Sequence, residues 1–122
     1  LGQLLLAVHP NYRPALLKIR RRAKIKGAAH ITGGGLIDNP PRILPGGTGA
    51  EICLGSWPVS PLFRALVAKG RLKTQEAYRT FNMGIGMVVV VARQDVEKVR
   101  RAVRCYEIGR IVKGDRKVRL IG

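Results

Sequence analysis

The chain has 122 residues, the size of one domain, and its 46% hydrophobic share is enough to build a core. No apolar run approaches the roughly 20 residues of a membrane-spanning helix; the longest, Met87–Ala92, has the length of a strand. The formal net charge of +16 attracts polyanions, whether nucleic acid, nucleotide phosphates or an acidic partner. No charged leader opens the chain, so a signal peptide is not expected, and a first residue other than Met suggests a piece of a longer polypeptide. Cys53 and Cys105 stand far apart without a CxxC, which argues against a zinc site or redox pair; two reduced thiols of a cytoplasmic protein are expected.

The elements follow in chain order. A first helix runs from Pro14, favourable in a first turn, to about Ala23. The dense run Lys18–Lys26 is either a nucleic-acid patch or one solvated helix face, because Leu16, Leu17, Ile19 and Ala23 recur within and beside it at helical spacing. Aromatic residues are too few for a single-strand stacking platform. Lys24–Thr32 reads as a strand ending in the triple glycine Gly33–Gly35. Pro40 and Pro41 allow only a helix that starts there or is irregular, and Pro45–Gly49 is a turn.

Ala50–Leu54 is a short strand. Ser60 caps a helix with Pro61 in its first turn, an apolar face of Leu62, Phe63, Leu66 and Val67, and an end at Gly70. Thr74 caps the next, with Glu76 near its positive end. Met87–Val91 is a β-branched run expected of a strand covered on both faces. Asp95–Arg104 is an amphipathic helix, Cys105–Val112 a strand, Gly114-Asp115 a turn and Val118–Ile121 a last strand, the two strands forming a terminal hairpin. A helix that meets a strand at Arg104–Cys105 without loop residues suggests that a mobile loop is left out there. The order argues for an α+β fold, with helices packed on a mixed sheet of about four to five strands.

A strand, then glycines, then a helix start is a common anion cradle, because bare backbone approaches a phosphate and exposed N–H groups point at it. Thr32 adds a hydroxyl and His30 an imidazole. The stretch lacks the Walker pattern, and "GIGMVVV" at Gly84 lacks the third glycine of a dinucleotide fingerprint. The glycines are equally read as a chain crossing that only glycine fits, and His30 as a structural residue. Asn82 presents an amide to the same cleft or closes a turn. Trp57 reads as core or interface packing.

Three longer motifs, "AHITGGGLIDNPPRILP", "GAEICLGSWPVSPLF" and "YRTFNMGIGMVVVV", together resemble the C-terminal domain of aminoimidazole ribonucleotide synthetase, the phosphoribosylformylglycinamidine cyclo-ligases. The resemblance spans essentially residues 1–122 as a single domain, with the family's N-terminal ATP-binding domain absent. It implies ATP-dependent closure of the imidazole ring of formylglycinamidine ribonucleotide in purine synthesis, with ATP and magnesium expected mainly on the absent domain. It also implies a homodimer and an active site in the cleft between the two domains. Carried over, His30 is the catalytic candidate. Thr32, Gly33, Gly34, Gly35, Asn39, Asn82 and Gly84 are substrate-binding candidates, and no metal ligands are expected in this chain. His9, Tyr12 and Arg13 resemble parts of the family's pattern P-[TH]-R-x-Y-x-[KR]-P, one residue short in spacing. The alternative function is a basic nucleic-acid-binding module resting on charge.

Overall fold

A computed structural model describes residues 2–122. A single helical turn, α1 (Gly2–Leu5), precedes α2 (Arg13–Arg20), which carries Pro14 in its first turn. α2 buries Ile19 and leaves Lys18 and Arg20 to solvent. The chain then turns, with the Ala23 N–H donating to the Ile19 carbonyl at 2.9 Å. Arg21, Arg22, Lys24 and Lys26 are exposed, and among the described residues none of the cations from Lys18 to Lys26 has a carboxylate partner. The expected helix thus stops at Arg20 instead of about Ala23, so the basic run is not one helix face; its cations are exposed and, among the described residues, unpaired.

β1 (Gly27–His30) pairs antiparallel with β3 (Met87–Val90), His30 standing opposite Met87. Between them lie α3 (Gly35–Asp38), a 3-10 turn that begins at Pro40, β2 (Thr48–Cys53), α4 (Pro61–Lys69) and α5 (Thr74–Thr80). A second 3-10 turn, Arg93–Asp95, leads into α6 (Val96–Ala102), followed by β4 (Gly109–Lys113) and β5 (Val118–Ile121). The fold is α+β with five strands, as expected, but the strands divide into two sheets, β1-β3 and β4-β2-β5.

The expected terminal hairpin does not form. β2 inserts between β4 and β5, antiparallel to the first and parallel to the second. The 114–117 loop instead bonds to the start of β2. Gly114 N–H donates to the Gly47 carbonyl at 3.1 Å, and Ala50 N–H to the Lys117 carbonyl at 2.9 Å. Such a crossing needs two bare backbones: a Cβ on Gly49 would stand 3.0 Å from the Lys117 carbonyl oxygen.

β3 is not covered on both faces; all four of its residues are half-buried, because its sheet has only two strands. Its apolar side lines a groove of about 360 Å³, together with Leu16, Ile19, Ile43, Val99 and Ile108. The strand expected from Cys105 starts only at Gly109, and α6 ends at Ala102. Residues 103–108 are therefore the connection, of ordinary length for a helix–strand join. The observation that suggested omitted residues at Arg104–Cys105 disappears. Both cysteines are free thiols, and burial pushes the Cys105 thiol up while Arg100 opposes it.

Ser60 and Pro61 start α4 as expected, without a side-chain capping bond. Gly70 ends it in a right-handed conformation, φ −76°, and the left-handed residue is the next one, Arg71, at φ +51°. Thr74 is the first helical residue of α5, and Lys73 occupies the cap position. The core gathers Ile31, Leu36, Trp57, Ala77, Tyr78 and Met83 between β1 and α3–α5. Trp57 is core, its ring T-shaped to Tyr78 at 6.1 Å.

Glu51, on central β2, is 5% exposed and lies opposite Arg110 on β4 and Arg119 on β5. Both guanidiniums bond it, Arg110 at 2.8 Å. The hydrogen bonds from Arg119 and then Arg110 hold its carboxyl below the ordinary glutamate range. A lowered folded value means stability that is present above the unfolded value, about 4.3, and lost as pH falls through the folded one. Glu51→Gln should therefore lower the melting temperature at pH 7, and the gap to the parent should shrink as melts are repeated toward pH 3. Arg71→Gly should raise stability by about 0.5–1 kcal/mol in urea titrations, because a Cβ is disfavoured at positive φ.

Candidate functional site

The turn that follows β1 is built by its glycines, each in a different way. Gly35 N–H donates to the Thr32 carbonyl at 2.9 Å, closing a β-turn. Gly34, third in that turn, has φ +99° and ψ −16°, as a type II turn requires. Gly35 also has positive φ, +55°, and it is the crossing point. A Cβ there would overlap the Tyr78 carbonyl oxygen and stand 2.7 Å from that of Phe81, at the end of α5. Gly33 has nothing within 4 Å of the place a Cβ would take. Among the described residues, neither the Gly33 nor the Gly34 N–H has an acceptor. The crossing reading thus falls on Gly35, and the free N–H groups that a cradle would need are those of Gly33 and Gly34.

Asn39, a substrate-binding candidate in the sequence, stands behind the turn. It is 2% exposed, and its Nδ2 donates to the carbonyls of Gly35 at 3.0 Å and of Thr32 and Gly33 at 3.3 Å. Its amide holds the turn's carbonyls inward, which leaves the N–H side outward. Asp38 on α3 is paired with Arg79 on α5 at 3.2 Å. Thr32 and Gly33 are exposed, Gly34 is half-buried and Gly35 is buried.

Asn82 and Gly84 close a second turn. The Asn82 side-chain oxygen accepts the Gly84 N–H at 2.9 Å, and its carbonyl accepts the Ile85 N–H at 3.0 Å. Met83 at φ +52° and Gly84 at φ +95° give it the two left-handed residues of a type I′ turn. Trp57 Nε1–H donates to the Met83 carbonyl at 2.9 Å from below. The Gly84 N–H is therefore already satisfied within the chain.

His30 is exposed at the end of β1, and the structure brings the opening segment against it. His9 Nε2 lies 3.4 Å from His30 Nε2, with ring centroids 5.0 Å apart and planes at 89°. The Tyr12 ring stands 6.3 Å from His30 and 5.8 Å from His9. Gly86 makes room for it, since a Cβ there would overlap the Tyr12 hydroxyl. Composition and periodicity gave no sign of this cluster; the usable signal was the partial match of His9 and Tyr12 to the family pattern, discounted for its shortened spacing.

Among the described residues no three His, Cys, Asp or Glu side chains come together. No helix among them is long and apolar enough to cross a membrane. The glycine turn opens directly to solvent, outside the apolar groove between the sheets.

The domain thus presents an exposed glycine turn, with free N–H groups at Gly33 and Gly34, on an α+β scaffold. Residues 2–121 match the family model of the AIR synthase related protein, C-terminal domain, and the chain belongs to that family. It is 49% identical over 105 residues to a phosphoribosylformylglycinamidine cyclo-ligase of Methylobacillus flagellatus, which covers 82% of this chain and 30% of that protein. The protein of the same name from Geobacillus kaustophilus is 46% identical over 119 residues, 93% of this chain and 34% of the relative. That of Lactococcus lactis is 46% identical over 102 residues, 84% and 30%. The chain spans about a third of the length of these relatives. The family accounts for residues 2–121, and the alternative of a nucleic-acid-binding module, resting on charge alone, is not supported.

Alanine at the two ends of the turn should separate crossing from cradle. Gly35→Ala should cost more than about 3 kcal/mol in urea unfolding, because backbone carbonyls cannot yield as a side chain does. Gly33→Ala should stay within about 0.5 kcal/mol of the parent.

Proposed function

We propose that this chain is the C-terminal domain of an ATP-dependent cyclo-ligase that closes the imidazole ring of formylglycinamidine ribonucleotide, yielding aminoimidazole ribonucleotide, ADP and phosphate in purine synthesis. The observation that carries the reading is the pair of free, outward N–H groups at Gly33 and Gly34 beside His30, in a chain whose relatives bear that name.

In this reading the Gly33 and Gly34 N–H groups hold a phosphate of substrate or nucleotide, and the Thr32 hydroxyl adds a contact at the rim. Asn39 keeps the turn's carbonyls turned away from that anion, which they would repel. The Asn82–Gly84 turn borders the same surface. His30 orients or polarises the formyl oxygen, or accepts a proton as the ring closes. ATP with magnesium, bound mainly by an N-terminal domain, supplies the phosphoryl group that activates that oxygen. The site lies in the cleft between the two domains of a cytoplasmic homodimer.

Two assays test this. The 122-residue chain, given ATP and formylglycinamidine ribonucleotide, should release no ADP, and turnover near that of an intact cyclo-ligase would overturn the reading. In the polypeptide that joins this domain to its ATP-binding half, His30→Asn should lower kcat by about 100-fold or more. Gly33→Ala should mainly weaken substrate binding there, and unchanged kinetics in both variants would remove the site from this surface.

A further inference from the structure

His9 and His30 are the chain's only histidines, and they meet Nε2 to Nε2 at 3.4 Å. The Nδ1 of His9 lies 3.0 Å from the Pro10 carbonyl oxygen. A carbonyl can only accept, so His9 Nδ1 carries a proton there. In a neutral imidazole its Nε2 is then an acceptor, and the only nitrogen facing that acceptor is His30 Nε2. His30 must therefore donate from Nε2, which leaves its Nδ1 with the free lone pair.

We infer that His9 is a positioning residue that sets His30 in the Nε2–H tautomer and leaves Nδ1 as the nitrogen able to take a proton. The hydrogen bond that one ring nitrogen makes decides which form the other presents. The surroundings fit this role. Tyr12 stands edge-on to both rings, 5.8 Å from His9 and 6.3 Å from His30. Among the described residues no carboxylate is paired with either imidazole, so a second histidine does here what a carboxylate does in a triad. The catalytic value of the arrangement rests on the proposal that His30 acts on the substrate; the tautomer itself does not.

Histidine 15N labelling of the 122-residue chain reads the tautomers directly, because two residues give two resolvable spin systems. Long-range 1H–15N spectra at pH 8.5, above the ordinary imidazole range, should show His9 as Nδ1–H and His30 as Nε2–H. In His9→Ala the His30 pattern should move toward a mixture of both forms, and His9→Gln, whose side-chain oxygen can accept, should restore Nε2–H. A His30 found as Nδ1–H in the parent, or unchanged in His9→Ala, would overturn the inference. In the two-domain polypeptide, His9→Ala should lower kcat by about 10-fold with KM little changed, and His9→Gln should recover most of it. If His30→Asn leaves turnover intact, the catalytic reading fails while the spectra still decide the tautomer.

Discussion

The approach of Gly35 to the end of α5 is the constraint on which the site depends. Two backbone carbonyls, from Tyr78 and Phe81, occupy the space a side chain would need, so α3 can begin there only with glycine. That contact seats Leu36, fully buried, in the core and places Asn39 one helical turn later, under the carbonyls it holds. The turn thereby inherits its orientation from core packing rather than from solvent-exposed contacts. The anion binding proposed there would gain from this, because donors fixed beforehand lose little freedom on binding.

The C-terminal sheet is organised around a different interaction. Glu51 is nearly the only ionisable group inside the fold, and it sits on the strand between β4 and β5. Its two arginines reach it from the neighbouring strands, so one carboxylate joins all three across their register. The same geometry sets one negative charge between two cations on a face where like charges would otherwise lie close together. The basic residues of α2 have no such partner and stay in water.

Local chemistry made the turns and helix starts readable in the sequence: Gly33–Gly35, Pro61 after Ser60, the prolines at 40 and 41. Family motifs then named the domain. What escaped is non-local. Insertion of β2 between β4 and β5 depends on a loop bonding to a strand more than sixty residues away, whereas Gly114-Asp115 alone reads as a hairpin. The β-branched run at β3 reads as doubly covered, yet coverage depends on how many strands join its sheet. Asn39 and Asn82 were site candidates by position. The Asn39 amide nitrogen and the Asn82 side-chain oxygen bond backbone groups, which no spacing reveals. His9 matches the family pattern only at shortened spacing, yet it is in contact with His30.

Trp57 adds a practical consequence. It is the only tryptophan, it is buried, and its indole N–H is tied to the Met83 carbonyl in the Asn82–Ile85 turn. Indole fluorescence responds to the hydrogen bond and polarity at that nitrogen. The molecule therefore carries an intrinsic optical reporter wired to one turn of its proposed binding surface. Emission colour and lifetime would track that turn without any added label.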